Sequence, residues 1–195
     1  MWPKIFSFLT TTAAVACCAA AIKLADDYLD RENDAVVGKI NWAAVLGSGA
    51  MLYAMFLLAL AAGINATLSL SLFLASYIIG MFSYWGGKYP SRLTGFQESL
   101  LAFIVGIMLF GWNSMLFSLS FVAAIQLFDD YIDAHSDRLS GQRNLANRFG
   151  HIECLVSSLV CLLVAWGVNE YLFMPTILGS GVVYFTALRI ERGWA

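Results

Sequence analysis

The chain has 195 residues, of which 60% are apolar and 12% charged, with a mean hydropathy of +0.74 and a formal net charge of −2. A soluble domain is about 45–50% apolar and ~25% charged, so a soluble enzyme and a disordered chain are both excluded. Eleven Lys/Arg against thirteen Asp/Glu leave no basic surface for nucleic acid, and the composition is that of a polytopic membrane protein.

In chain order, apolar runs predict seven spans at about 5–25, 42–62, 64–85, 98–112, 114–130, 151–168 and 171–188. The first, with Lys4 before it and Ala19-Ala20-Ala21 near its end, also has the make-up of a secretory leader. Cleavage there would detach the acidic cluster that follows, so a resident first span is the expectation. Asn65-Ala66-Thr67 matches a glycosylation sequon but falls in a very short turn between two spans. The apolar stretch from Ser99 to Phe128 would be a helix of about 45 Å, too long for a hydrocarbon core of ~30 Å. A tight turn at Gly111-Trp112-Asn113-Ser114 therefore divides it in two.

Loop charges agree with seven crossings. With the N-terminus outside, Lys23, Arg31, Lys39, Lys88, Arg92, Arg138, Arg143, Arg148, Arg189 and Arg192 all face the cytoplasm, and Lys4 alone faces out. Cys17, Cys18, Cys154 and Cys161 have neither CxxC nor Cys/His ligand spacing and read as apolar packing.

Nine of the thirteen acids lie in two clusters: Asp26, Asp27, Asp30, Glu32 and Asp34, and Asp129, Asp130, Asp133 and Asp137. Leu24-Ala25-Asp26-Asp27-Tyr28-Leu29-Asp30 aligns with Leu127-Phe128-Asp129-Asp130-Tyr131-Ile132-Asp133. The fold expected is therefore all-α, a single transmembrane bundle over residues 1–195 built from two parallel pseudo-repeats, about 5–85 and 114–188. Span 98–112 connects them. Parallel repeats put both clusters on one membrane face.

Each cluster reads DDxxDxxxD. On a helix, positions i, i+4 and i+8 are expected on one face, with the second Asp joining the third at i+3. Like charges packed that way repel, so a cation belongs there. Carboxylates with room for water suit Mg²⁺, which takes one or two of them together with substrate phosphates. A solvated acidic helix end explains one such cluster well and two matched copies poorly. The expected metal ligands are Asp26, Asp27, Asp30, Asp34, Asp129, Asp130, Asp133 and Asp137, with Asp27, Asp30, Asp130 and Asp133 at the centre of the chemistry. Lys39, Lys88, Arg92, Arg138 and Arg143 are the bases placed to share a diphosphate's charge. Tyr28 and Tyr131 are placed either to donate to phosphate or to sit at headgroup level.

These motifs resemble those of the UbiA superfamily of intramembrane prenyltransferases, whose first motif is NDxxDxxxD and whose second is DxxxD. Asp26 to Asp34 is similar to the first, with Asp for the initial Asn. The run after Asp133 and Asp137, with Gly141, Arg143, Leu145-Ala146, Arg148 and Gly150, is similar to the second. Lys88-Tyr89-Pro90-Ser91-Arg92-Leu93-Thr94 is similar to the family's Tyr-plus-basic loop. The family usually has nine helices, of which the first and last have no counterpart here, and Val37-Gly38-Lys39-Ile40-Asn41 stands where a basic R-P segment often follows the first motif.

The resemblance implies a Mg²⁺-dependent prenyltransferase. The carboxylates would hold two Mg²⁺ ions against a prenyl diphosphate, and the isoprenyl group would pass to an aromatic or lipid acceptor. Phe82, Tyr84, Trp85, Phe121 and Phe128 are candidate walls for the isoprenoid tail, where aromatic faces stabilise a cation. The alternatives are a terpene cyclase of the same superfamily, in which the chain's own double bond captures the cation, and a divalent-cation transporter. A catalytically inactive scaffold and a homo-oligomer that replaces the missing helices are further options. The expected location is a prokaryotic inner membrane with the acidic motifs on the cytoplasmic side.

Overall fold

From Ile5 to Val37 the sequence has no Gly or Pro, so nothing interrupts a helix until Gly38. A computed structural model of the chain, which describes residues 2–38, 40–83, 87, 89–141 and 144–191, shows that helix as α1, Trp2–Val37. It is followed by the short α2 (Trp42–Leu46), a 3₁₀ turn at Gly47–Gly49 and α3 (Ala50–Ser83). Next come α4 (Gly95–Phe110), α5 (Trp112–Ser140), the short α6 (Leu145–Phe149), α7 (His151–Val168) and α8 (Glu170–Glu191). Every described element is helical.

Five helices are long and apolar enough to cross a membrane, which marks an integral membrane protein: Trp2–Glu32, Trp42–Met81, Trp112–Leu139, His151–Val168 and Glu170–Ile190. Gly95–Phe110 is apolar but shorter. The break expected near Gly111 is present there, where φ is +82 and α5 begins one residue later.

The break expected near residue 63 falls at Asn65, whose φ of −148 and ψ of 88 interrupt α3. Asn65 Oδ1 accepts from Leu68 N–H at 3.2 Å, the bond of a helix N-cap. Ser69 Oγ donates to Ala61 C=O at 3.0 Å across this point. Residues eight apart are about 12 Å apart along a straight helix, so the bond requires a sharp change of direction. Asn65 is thus a structural cap.

The chain forms two compact units, Met1–Ser69 with Tyr171–Ala195, and Leu70–Glu170. In the first, α8 lies close against α1: a Cβ on Gly179 would come 2.7 Å from Thr12 C=O and 2.9 Å from Val15 Cβ. Small residues allow such backbone approach where helices pack within lipid. Cys18 Sγ–H donates to Ser69 C=O, and Leu24, Ala43, Ala50 and Ala54 form a buried cluster with Trp42 and Leu57 against it.

In the second unit α5 packs along α7, where Ser158 Oγ donates to Ala124 C=O at 2.8 Å and Cys154 Sγ to Leu127 C=O. Ser71 and Ser118 share a buried hydrogen bond at 2.8 Å, and Ala134, Ala146 and Cys154 are buried together beside Leu127. The cysteines are all free thiols, and their surroundings are those of packing residues.

Candidate functional site

α1 and α5 each run past the apolar region and carry their acidic cluster on the last turns before a glycine in the left-handed region. Those glycines are Gly38 (φ +73) and Gly141 (φ +75), where a side chain would be strained.

In the first cluster the side chains divide between two faces. Ala14, Cys18, Ala21 and Leu24 form the buried stripe of α1, and Asp27 (3% exposed) and Asp34 (8%) continue it. Asp26 and Asp30 are exposed. This corrects the expectation that Asp34 shares a face with Asp26 and Asp30: eight residues advance about 80° around a helix, whereas the seven from Asp27 to Asp34 return to within about 20°. In the second cluster Asp130 is buried, and Asp129, Asp133 and Asp137 are half-buried.

Each cluster is gripped by an asparagine outside the acidic motif and by the backbone N–H that follows it. Asn41 Nδ2 donates to Asp34 Oδ2 at 2.6 Å and to Asp27 C=O at 3.1 Å. Trp42 N–H donates to Asp27 Oδ2 at 2.8 Å, and Asn41 Oδ1 caps α2 by accepting from Ala44 N–H at 2.8 Å. In the second cluster Asn144 Nδ2 donates to Asp137 Oδ2 at 2.8 Å and to Asp130 C=O at 2.7 Å. Leu145 N–H donates to Asp130 Oδ2 at 3.1 Å, and Asn144 Oδ1 caps α6 by accepting from Asn147 N–H at 3.0 Å.

Each partner in the second set stands 103 positions after its counterpart, as Asp27 to Asp130 and Asn41 to Asn144. The buried pair Ala43 and Ala146 keeps the same offset. The signal was readable as Asp-x6-Asp-x6-Asn, two heptad steps along one helix face and into the loop.

A second motif recurs farther from the clusters. Ala61-x-Gly63-Ile64-Asn65-x-x-Leu68 has its match in Ala165-x-Gly167-Val168-Asn169-x-x-Leu172. Asn65 (φ −148, ψ 88) and Asn169 (φ −154, ψ 92) have nearly the same backbone.

The two clamps differ in charge. Lys23 Nζ pairs with Asp27 Oδ1 at 3.0 Å, and Gln126 occupies the corresponding place on α5. Trp42 Nε1 is buried and has no hydrogen-bond partner among the described residues; its counterpart is Leu145. Beside the second clamp, Asp137, Arg138, Gly141 and Asn147 line an open hollow of about 410 Å³.

The remaining expected residues are scattered. Arg92 is exposed in a turn closed by its N–H to Tyr89 C=O at 2.8 Å, and it holds a φ of +66. Ser91 Oγ and Tyr77 O–H both donate to Glu98, tying that loop to α3 and α4. Tyr28 lies under the Arg31 guanidinium, 5.8 Å from the ring centroid. Tyr131 stacks on Phe128 and meets the edge of His151. Phe121 is buried and stacked on Phe117. Lys39, Lys88, Arg143, Tyr84 and Trp85, and the side chain of Phe82, lie outside the described residues.

Among the described residues no group of three or more His, Cys, Asp and Glu side chains is placed to enclose a metal ion. The chain matches no protein-family model, no curated protein and no solved structure.

Proposed function

We propose that the protein is an intramembrane, Mg²⁺-dependent prenyltransferase that ionises a prenyl diphosphate and passes the isoprenyl group to an aromatic or lipid acceptor. The observation that carries this reading is the matched pair of clamped acidic helix ends. In each, an asparagine amide and a backbone N–H hold the inner carboxylates, and two more carboxylates, Asp26 and Asp30 or Asp129 and Asp133, stand one turn apart on the same helix. With seven crossings, both ends belong to the basic, cytoplasmic side of the membrane.

The donor set suits Mg²⁺. The ligands are hard carboxylate oxygens spaced i, i+4, and Mg²⁺ usually takes one or two carboxylates and completes its shell with water and phosphate rather than with an all-protein cage. Asp26 and Asp30, and Asp129 and Asp133, would hold it, and when bound it neutralises charge building on the diphosphate leaving group. Asp27, Asp34, Asp130 and Asp137 orient these residues by fixing the rotation of α1 and α5. Arg138, exposed beside the second clamp, would take a phosphate oxygen that the metal leaves open.

The test is release of inorganic diphosphate by purified protein supplied with Mg²⁺ and labelled prenyl diphosphates of several chain lengths. The proposal expects release that disappears in Asp30→Ala and Asp133→Ala. No release at any chain length overturns it. Release without an added acceptor, giving a cyclised product, would replace transfer by cyclisation, and Mg²⁺ uptake into proteoliposomes without any turnover would point to transport.

A further inference from the structure

We propose that the two sequence repeats exchange their last helices, so that α1 and α5 each carry a docking surface for the closing helix of the other repeat. By the matched positions above, α1, α2 and the two parts of α3 (residues 50–64 and 66–83) correspond to α5, α6, α7 and α8. The compact units do not follow that division. The first holds α1, α2 and the start of α3 together with α8; the second holds α5, α6 and α7 together with α4 and residues 70–83. The chain passes from unit to unit just after Asn65 and Asn169, the two asparagines of matching backbone.

The hand-over is sharp. Ser69 C=O still accepts from Cys18 of α1, and two residues on Ser71 shares its hydrogen bond with Ser118 of α5. Ser118 is the counterpart of Val15, 103 positions earlier. Val15 in turn lies where a Cβ on Gly179 of α8 would reach it. At the 104-position offset of the two asparagines, Gly179 matches Ala75, one turn beyond Ser71. Each exchanged helix therefore meets the same turn of its host. Leu74 and Met115 also come together at Gly106 of α4, and Ser99 Oγ donates to Ile78 C=O at 2.9 Å.

Lipid gives no hydrophobic preference for one apolar helix over another, so small residues and hydrogen bonds select the partner. Here they select across the repeats. The counterpart of Ser71 is Pro175, and that of Ser118 is Val15. A repeat closed by its own helix would set Ser71 against Val15 and Ser118 against Pro175, and neither buried hydroxyl would have the other to bond. Losing such a partner is costly in an apolar interior. Ala75 would also bring to α1 the methyl group that Gly179 leaves out beside Thr12 C=O. The partner that either surface fits is thus the other repeat's last helix.

Double-variant unfolding of the full-length protein in detergent tests the exchange. Ser71→Ala with Ser118→Ala should couple, because the two serines lose one shared bond. Val15→Ala with Gly179→Ala should couple as well, because the smaller side chain makes room for the methyl group. In each pair the combined rise in the unfolding constant is expected to be smaller than the product of the single rises by about threefold or more. The within-repeat pairs, Val15→Ala with Ser71→Ala and Ser118→Ala with Gly179→Ala, should stay close to that product. Additivity in either exchanged pair overturns the proposal, and so does stronger coupling in the within-repeat pairs. If Gly179→Ala leaves too little folded protein to measure, the Ser71/Ser118 and Val15/Ser71 comparisons decide it by the same criteria.

Discussion

Asn144 stands seven residues beyond Asp137 and donates to its carboxylate at 2.8 Å, the same relation that Asn41 has to Asp34 at 2.6 Å. In both places one side chain joins the end of a long helix to the start of a short one. Between α5 and α6 a second bond works beside it, from Leu145 N–H to the buried Asp130 carboxylate at 3.1 Å.

Removing the whole side chain should therefore be costly. Asn144→Ala loses a helix cap, worth about 1 kcal/mol, and takes a charge-assisted donor from Asp137, worth about 1–3 kcal/mol. A loss of about 2–4 kcal/mol is expected in denaturant unfolding of the detergent-solubilised protein, and the same for Asn41→Ala. A loss below about 0.5 kcal/mol in either would mean that the clamp contributes little to stability.

How much of this was legible in the sequence depends on the residue. The helices were, because apolar runs of bilayer length have few alternatives, and the turn at Gly111 followed from the thickness of a bilayer. The second copy of the acidic motif was legible as well. The faces of the motif were not read correctly. An i, i+8 step turns about 80°, which is enough to move Asp34 from the exposed side to the core. The asparagines were missed for a different reason. They lie in polar loops between elements, and a five-residue helix such as α2 or α6 has too little periodicity to announce its own cap.

The close contact of α8 with α1 gives a paired prediction on one helix. A methyl group at Gly179 meets the Thr12 carbonyl and Val15, whereas at Gly181 it meets nothing within 4 Å. Gly179→Ala should destabilise by about 1–3 kcal/mol through overpacking. Gly181→Ala should be neutral or slightly stabilising, since alanine favours the helix. Equal melting temperatures for the two variants would show that α8 does not approach α1 this closely.

The difference in burial within each cluster predicts two kinds of variant. Asp30→Asn and Asp133→Asn should keep their melting temperature near wild type and lose diphosphate release by about a hundredfold or more, the scale for removing a group that stabilises developing charge. Asp27→Asn should instead lower the melting temperature, because Asp27 is buried and accepts from both Trp42 N–H and Lys23. The comparison is read from turnover and thermal unfolding on the same preparations. A fully active Asp30→Asn, or an Asp27→Asn as stable as wild type, would reverse the roles assigned here.

Topology can be tested without any assumption about chemistry. The break at Asn65 and the break at Gly111 allow seven crossings, which place residue 113 outside and residue 138 inside with the bases. If α3 crossed only once, the side of every later loop would be exchanged, and the basic residues after Ser83 would face the opposite solvent from Lys23 and Arg31. Single cysteines at Asn113 and Arg138, in a chain whose four native cysteines are replaced by alanine, report this directly. A membrane-impermeant maleimide added to intact cells should label the cysteine at Asn113 at once and the one at Arg138 only after permeabilisation. The reverse pattern would remove the seven-crossing arrangement, and with it the placement of both acidic clusters on one membrane face.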